Sequence, residues 1–163
     1  MSSLPLRILG IDPGLQHTGW GMIQAHGSRR EYIACGAIHP SPSLPLSERL
    51  HYLHQHVHEV IAHYRPDETA LEQTFINNNA ASSLKLGNAR GALMLSLAIA
   101  GLAVHEYDAT RIKKTLTGNG RASKEQIRHM INIVLPHTHG THTSDAYDAL
   151  AVAFTHAQWR GNL

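Results

Sequence analysis

One short stretch constrains the fold more than any other. Arg7-Ile8-Leu9-Gly10-Ile11-Asp12 alternates apolar and small residues and then stops at Pro13-Gly14. Such a run predicts a strand, the Pro-Gly pair predicts a turn, and together they leave Asp12 at the strand's end. Two more extended stretches follow, Thr18 to Ala25 and Glu31 to His39, separated by the polar segment His26 to Arg30. They predict a meander of antiparallel strands. After a loop at Pro40 to Pro45, the apolar residues Leu50, Leu53, Val57, Val60, Ile61 and Tyr64 recur at three- and four-residue steps. That period predicts an amphipathic helix capped by Ser47 and ended by Arg65-Pro66.

Downstream the pattern changes. Glu68 to Gln73 predicts a short strand, Ala80 to Ala100 a helix, and Ala103 to Tyr107 another brief strand. Strand and helix alternating in this way imply parallel crossover units. Ser123, with Gln126 three positions on, predicts a capping box that opens a helix running to Leu135. A last helix, from about Ser144 to Trp159, follows the His- and Thr-rich loop Pro136 to Thr143. The expected architecture is α/β: a five-stranded mixed sheet, three antiparallel strands then two parallel, flanked by helices. A length of 163 residues suits one domain over 1–163.

Apolar residues make up 42% of the chain and charged residues 16%, which excludes the profile of a disordered protein. A formal net charge of +2 and a pI near 8.9 do not announce a polyanion binder, so the distribution of cations must carry that argument. From Arg111 to Arg128 six cations (Arg111, Lys113, Lys114, Arg121, Lys124, Arg128) face one acid, Glu125. Such an excess is the footprint of phosphate binding, although a charge run is more often a solvated face. Gly118 and Gly120 inside it predict a mobile loop that orders on DNA. The single Cys35 has no partner for an internal disulfide and is expected to be a small buried apolar residue. Met1 to Leu6 lack a secretory pattern, and the apolar run Ala92 to Val104 falls short of the roughly 20 residues that cross a membrane. A cytoplasmic location without membrane contact is expected.

Four acids fall at element ends: Asp12, Glu72, Asp145 and Asp148. Asp145 and Asp148 are three apart, which puts both carboxylates on one face of a first helical turn, where the helix dipole favours negative charge. Ordinary N-terminal capping also explains that pair. If the strands ending in Asp12 and Glu72 are neighbours, about 4.8 Å apart, their carboxylates can share a metal, and hard oxygen ligands suit magnesium or manganese. Two such ions about 3.5 to 4 Å apart activate water and stabilise a leaving oxygen in phosphodiester hydrolysis. On these residues alone, a strand-end Glu72 paired with a cation and an Asp12 that belongs to a turn serve as well.

Further motifs change the balance. Gly10-Ile11-Asp12-Pro13-Gly14 with Thr18-Gly19-Trp20-Gly21, Leu71-Glu72-Gln73-Thr74-Phe75, Ser83-Leu84-Lys85-Leu86-Gly87-Asn88-Ala89-Arg90-Gly91 and Ser144-Asp145-Ala146-Tyr147-Asp148-Ala149-Leu150-Ala151 follow one another along the chain. The series resembles the successive motifs of the RuvC Holliday-junction resolvases over nearly the whole sequence. That resemblance implies an RNase H-like fold with Asp12, Glu72, Asp145 and Asp148 as the catalytic, metal-binding tetrad for two Mg2+ ions, with Mn2+ as a substitute. It implies a homodimer that makes paired symmetric nicks in opposing strands of a four-way DNA junction, during recombination and repair, alongside a RuvA–RuvB branch-migration complex. Lys113 and Lys124 align with family lysines near the scissile phosphate, where a cation offsets developing charge. Phe75 is expected to stack on an unpaired base. Lys85, Arg90, Arg111, Lys114 and Arg121 complete the expected DNA-binding set. The apolar segment Leu93 to Leu102 is consistent with burial against the sheet and a second subunit, or with core burial alone.

His51, His54 and His58, and likewise His137, His139 and His142, are read as surface histidines rather than as a zinc or nickel site. His142, three residues before Asp145, is the one whose spacing brings it nearest the active site. The Asp12-Pro13-Gly14 turn also resembles that of the actin and sugar-kinase ATPases, whose chains are longer. Two nearer rivals stay open. One is a YqgF-like RNase H-fold nuclease processing RNA, which has a similar Gly-Ile-Asp-Pro-Gly opening; the other is a non-catalytic junction-binding module.

Overall fold

The strand that ends in Asp12, β1 (Leu6–Asp12), is the middle of the sheet. In a computed structural model, which describes residues 4–73, 78–138, 140 and 142–160, it pairs antiparallel with β2 (Thr18–His26) and parallel with β4 (Glu68–Gln73). The strand β3 (Arg29–Ile38) extends the antiparallel side and β5 (Val104–Asp108) the parallel side, giving the order β3-β2-β1-β4-β5. This is the mixed sheet expected from the sequence. The polar break between β2 and β3 is a two-residue hairpin turn in which Gly27 takes φ 57°, a left-handed conformation that a side chain would strain.

Helices cover both faces, and strand alternation decides what each face holds. Leu9, Ile11, Met22 and Leu71 pack with Leu53 and Val57 of α1 (Leu46–Tyr64) and Leu93 and Leu97 of α2 (Ala80–Ile99). On the other face Ile8, Ile23 and Ala70 pack with Ile112 of α3 (Ala109–Thr117), Ile131 of α4 (Lys124–Val134) and Leu150 and Ala153 of α5 (Ser144–Trp159). Fully burying a Leu or Ile of this kind stabilises the fold by about 1.5–3 kcal/mol. With period two, Asp12 shares the face of Ile8, and Glu72 shares the face of Ala70. Both acids therefore lie on the side of α5.

Helix α5 is the central buried helix, with every residue from Ala149 to Ala157 buried. It sits unusually close to the sheet because glycines lie beneath it. A Cβ built on Gly10 would meet the Ala149 carbonyl oxygen at 2.3 Å, and one on Gly21 the Leu150 nitrogen at 2.7 Å. Alanines on the helix and glycines on the strands thus bring the N-terminal turn of α5 against the end of β1.

Two expectations need correction. Ser47 does not cap α1; the cap position is Pro45, which makes no side-chain cap bond, and Ser47 lies inside the first turn. The segment after β5 was expected to carry only a basic run, yet it forms α3, whose cap Asp108 accepts from the Arg111 backbone N–H. Gly118 and Gly120 lie in the turn after α3: Gly118 closes the helix at φ 75°, and Thr117 and Asn119 side chains accept from backbone N–H groups within the turn. The capping box at Ser123 and Gln126 forms as the spacing predicts. Among the described residues no helix is long and apolar enough to cross a membrane.

Candidate active site

Parallel pairing of β1 with β4 sets Ile11 beside Leu71, so the next residues in register are Asp12 and Glu72. Their side chains are hydrogen-bonded to each other. The first turns of α5 bring Asp145 and Asp148 to the same point, and carboxylate oxygens of Asp12, Asp145 and Asp148 all lie within 4.8 Å of one another. The helix begins where it does because Thr143 caps it, accepting from the Ala146 N–H. Its partly positive N-terminal end faces the acids.

Gathering acids this closely has an electrostatic consequence. Burial first, then the charges of Glu72 and Asp148, push the Asp12 carboxyl from 3.8 up to about 8. Protonated Asp12 donates to Glu72, which is itself raised by burial although the Asp12 hydrogen bond, Lys113 and Lys124 hold it down. Burial also raises Asp148, against the opposing pull of Lys124. The Lys124 Nζ lies 3.2 Å from the Asp148 Oδ2 and 3.4 Å from the Ser144 Oγ, and its own pKa rises chiefly through Asp148. Half-buried carboxylates gathered this closely are a donor set suited to a hard divalent cation. Among the described residues no other group of three or more His, Cys, Asp or Glu side chains is close enough to hold a metal ion.

A cleft of about 260 Å³ opens on the α3–α4 side of the acids, lined by Asp12, Glu72, Asp148, Lys113 and Lys124. Carboxylates and lysines thus converge from β1, β4, α3, α4 and α5 on one opening.

Residues 8–156 match the family described as crossover junction endodeoxyribonuclease RuvC. The chain belongs to the RuvC family. It is 53% identical over 161 residues to the RuvC of Azorhizobium caulinodans, covering 99% of this chain and 95% of that one, and 51% identical to that of Rhodopseudomonas palustris, covering 96% and 89%. The structure is similar to Thermus thermophilus RuvC, with a TM-score of 0.86 at 31% identity over 96% of each chain. It is equally similar to T. thermophilus RuvC in complex with a Holliday junction substrate, with a TM-score of 0.88 at 32% identity over 95% of this chain and 94% of that one. The fold is RNase H-like, and a yeast mitochondrial Holliday junction resolvase shares it at a TM-score of 0.67 and 10% identity.

The other residues singled out from the RuvC motifs are dispersed. Phe75 lies outside the described residues, as does His139. Lys85 borders a second cleft on the α1–α2 side of Asp12. Arg90 is half-buried and forms an ion pair with Glu106 of β5. Arg111 lies over the Trp159 ring, 5.1 Å from its centroid, and borders a groove with Lys114. Arg121 is exposed on the turn after α3. His142 does not reach the acids; its ring lies 6.0 Å from those of Tyr32 and Tyr147. Cys35 is half-buried with its sulfur 3.7 Å from the Tyr32 hydroxyl.

Two features escaped sequence reading. One is a chain of contacts behind the acids, in which His156 bridges the Tyr107 hydroxyl and Glu68. The other is Arg49, which borders the second cleft. An arginine in the first turn of a surface helix carries no signal that it faces an acidic centre.

Proposed function

We propose that this chain is a single nuclease domain spanning 1–163 that resolves four-way DNA junctions by paired symmetric nicks in opposing strands, in recombination and repair. The observation that carries this reading is the convergence of Asp12, Glu72 and Asp148 beside Lys113 and Lys124 in one cleft, with an Asp145 oxygen within 4.8 Å of those of Asp12 and Asp148. The relative solved with a Holliday junction substrate supports the choice of DNA. Asp12, Glu72, Asp145 and Asp148 hold two Mg2+ ions, for which Mn2+ substitutes. Bound there, divalent cations supply Lewis-acid stabilisation of phosphate charge and make water a better nucleophile.

The chain's own groups do the rest. The N-terminal end of α5 and the close sheet position the carboxylates. Lys124, held by Asp148 in the free site, and Lys113 are cations placed to offset charge that develops on the scissile phosphate. Arg111, Lys114 and Arg121 hold phosphates further along the arms, Lys85 holds one nearer the acids, and Phe75 stacks on an unpaired base at the junction centre. A homodimer provides the two active sites that paired nicks require, and a RuvA–RuvB branch-migration complex is the partner that moves the junction. The proposed site of action is the cytoplasm.

The test is cleavage of a synthetic four-way junction across a Mg2+ titration, with the matching linear duplex as comparison. Symmetric cutting of the junction is expected, and equal cutting of the duplex overturns the reading. In the same assay Lys113→Ala and Lys124→Ala slow the single-turnover rate at saturating junction, and Phe75→Ala lowers cutting while leaving metal binding intact.

A further inference from the structure

The acids form a crest with a cleft on each side. One opens between α3 and α4. The other, about 370 Å³, is bordered by Asp12 and Asp145 together with Pro13, Arg49 and Lys85. Its walls come from the opposite helical layer: Arg49 from α1, Lys85 from α2 and Pro13 from the turn after β1. The carboxylates lie at the C-terminal ends of the parallel strands, where crevices between helical layers take ligands in open α/β sheets.

This second cleft has the chemistry of a phosphate site. The Arg49 Nη2 donates to the Leu15 carbonyl oxygen at 3.0 Å, while its Nε is buried without a hydrogen-bond partner. The Leu15 bond fixes the guanidinium at the border of an open cleft, where its remaining terminal N–H groups suit a phosphate oxygen. Lys85 adds a second cation, and the N-terminal turn of α2, with Asn79 as cap and Ser82 bordering the cleft, adds the positive end of a 20-residue helix. Asp12 and Asp145 at its inner edge make it a poor site for a free anion, so the anion must arrive tethered to something the acids already hold.

We propose that the cut strand crosses the end of the sheet from one cleft to the other, and that Arg49 with Lys85 grips a phosphate flanking the scissile one on the α1–α2 side. This rests on the junction-nuclease reading above. It adds a second set of cations, so that the acidic crest is flanked on both sides: Lys113 and Lys124 on one, Arg49 and Lys85 on the other.

Neutral phosphates test it. Junctions carrying a single methylphosphonate at one of the two positions on either side of the scissile phosphate are bound, with Ca2+ replacing Mg2+, to wild type, Arg49→Gln, Arg49→Lys and Lys85→Ala. Arg49→Gln and Lys85→Ala each weaken binding of the unmodified junction about tenfold, and Arg49→Lys restores part of that. In wild type, neutralising one flanking position costs a similar factor; in Arg49→Gln that same substitution costs nothing more. Penalties that multiply at every position, or an unchanged affinity in both Arg49→Gln and Lys85→Ala, overturn the proposal. Lys85→Ala keeps the test independent of the Arg49 link to Leu15. Failure of the junction reading itself shows separately, as wild-type protein that binds the unmodified junction no better than duplex.

Discussion

Gly19 of β2 lies directly beneath Asp145, so close that a Cβ built on it would stand 1.9 Å from the Asp145 carbonyl oxygen. Only hydrogen at this position lets the first turn of α5 settle against the sheet and deliver Asp145 and Asp148 to Asp12. Gly19→Ala is therefore expected to lift that turn. Overpacking of this kind costs about 1–3 kcal/mol, and the displaced carboxylates should lower single-turnover cutting more than tenfold. Thermal unfolding and a cleavage time course check both. Wild-type values in each would show that the close approach is not what aligns the acids.

Asp12 supplies the pH dependence. Its folded pKa, about 8, lies far above the ordinary 3.8, so the folded, metal-free protein keeps a proton that the unfolded chain gives up. Stability of the metal-free protein should fall as pH rises through that interval, and a divalent cation should restore it by displacing the proton. Asp12→Asn removes the conflict: at pH 8 the metal-free variant is expected to melt higher than wild type while cutting is abolished and junction binding kept. Calorimetric Mg2+ titrations of wild type should show affinity rising with pH up to about 8, with a heat that depends on the buffer. A lower melting temperature for Asp12→Asn, or Mg2+ affinity flat across this range, would contradict the assignment.

What was legible in the sequence follows from how local each signal is. The strand carrying Asp12 shows in its apolar run and its Pro-Gly stop, and the Asp145–Asp148 pair shows in helical period alone. Adjacency of Asp12 and Glu72 had to be supposed from sequence, and the β1–β4 register supplies it. Helix α3 was hidden because only Ile112 and Leu116 are buried in it, and cations around them read as a charge run. His142 misled through spacing: it precedes the Thr143 cap, so the helical period that aligns Asp145 with Asp148 does not extend to it. Arg49 and Lys85 border one cleft only after α1 and α2 fold onto the turn following β1. No local pattern encodes that.

Behind the acids, the Tyr107 hydroxyl lies 2.8 Å from the His156 Nδ1, and the His156 Nε2 lies 2.9 Å from a Glu68 oxygen that also accepts from Arg160. The Arg160 hydrogen bonds hold Glu68 below the usual carboxylate range, and burial holds His156 below the usual imidazole range. For both groups the folded state favours the deprotonated form. Stability is then full above 6.5, the ordinary His value, and is lost as pH falls, first through the imidazole range and then below 4.5 as Glu68 takes up a proton. Glu68→Gln should cost about 1–3 kcal/mol at neutral pH and remove the lower part of the acid limb. Urea unfolding at a series of pH values checks this, and an unchanged acid limb in Glu68→Gln would assign it to other groups.

The outer side of α2 exposes Leu84, Leu95 and Ile99, at 68%, 61% and 67%. Gly87 and Gly91 lie between them with open space beside each. Steps of three and four residues keep all five on one stripe, and small residues in its middle let another helix approach closely. In the homodimer proposed above, this stripe is where a second copy of α2 would pack. Leu95→Asp puts a charge at its centre and should leave monomers at micromolar concentration, with fold and metal affinity unchanged because Leu95 is outside the core. Coordinated action is then lost. On a plasmid bearing a cruciform, a dimer makes both nicks within one encounter and yields linear DNA, whereas monomers nick independently and leave nicked circles. Sedimentation and the ratio of linear to nicked product are the two readouts. A Leu95→Asp protein that sediments as a dimer and still linearises the plasmid would place the subunit interface elsewhere.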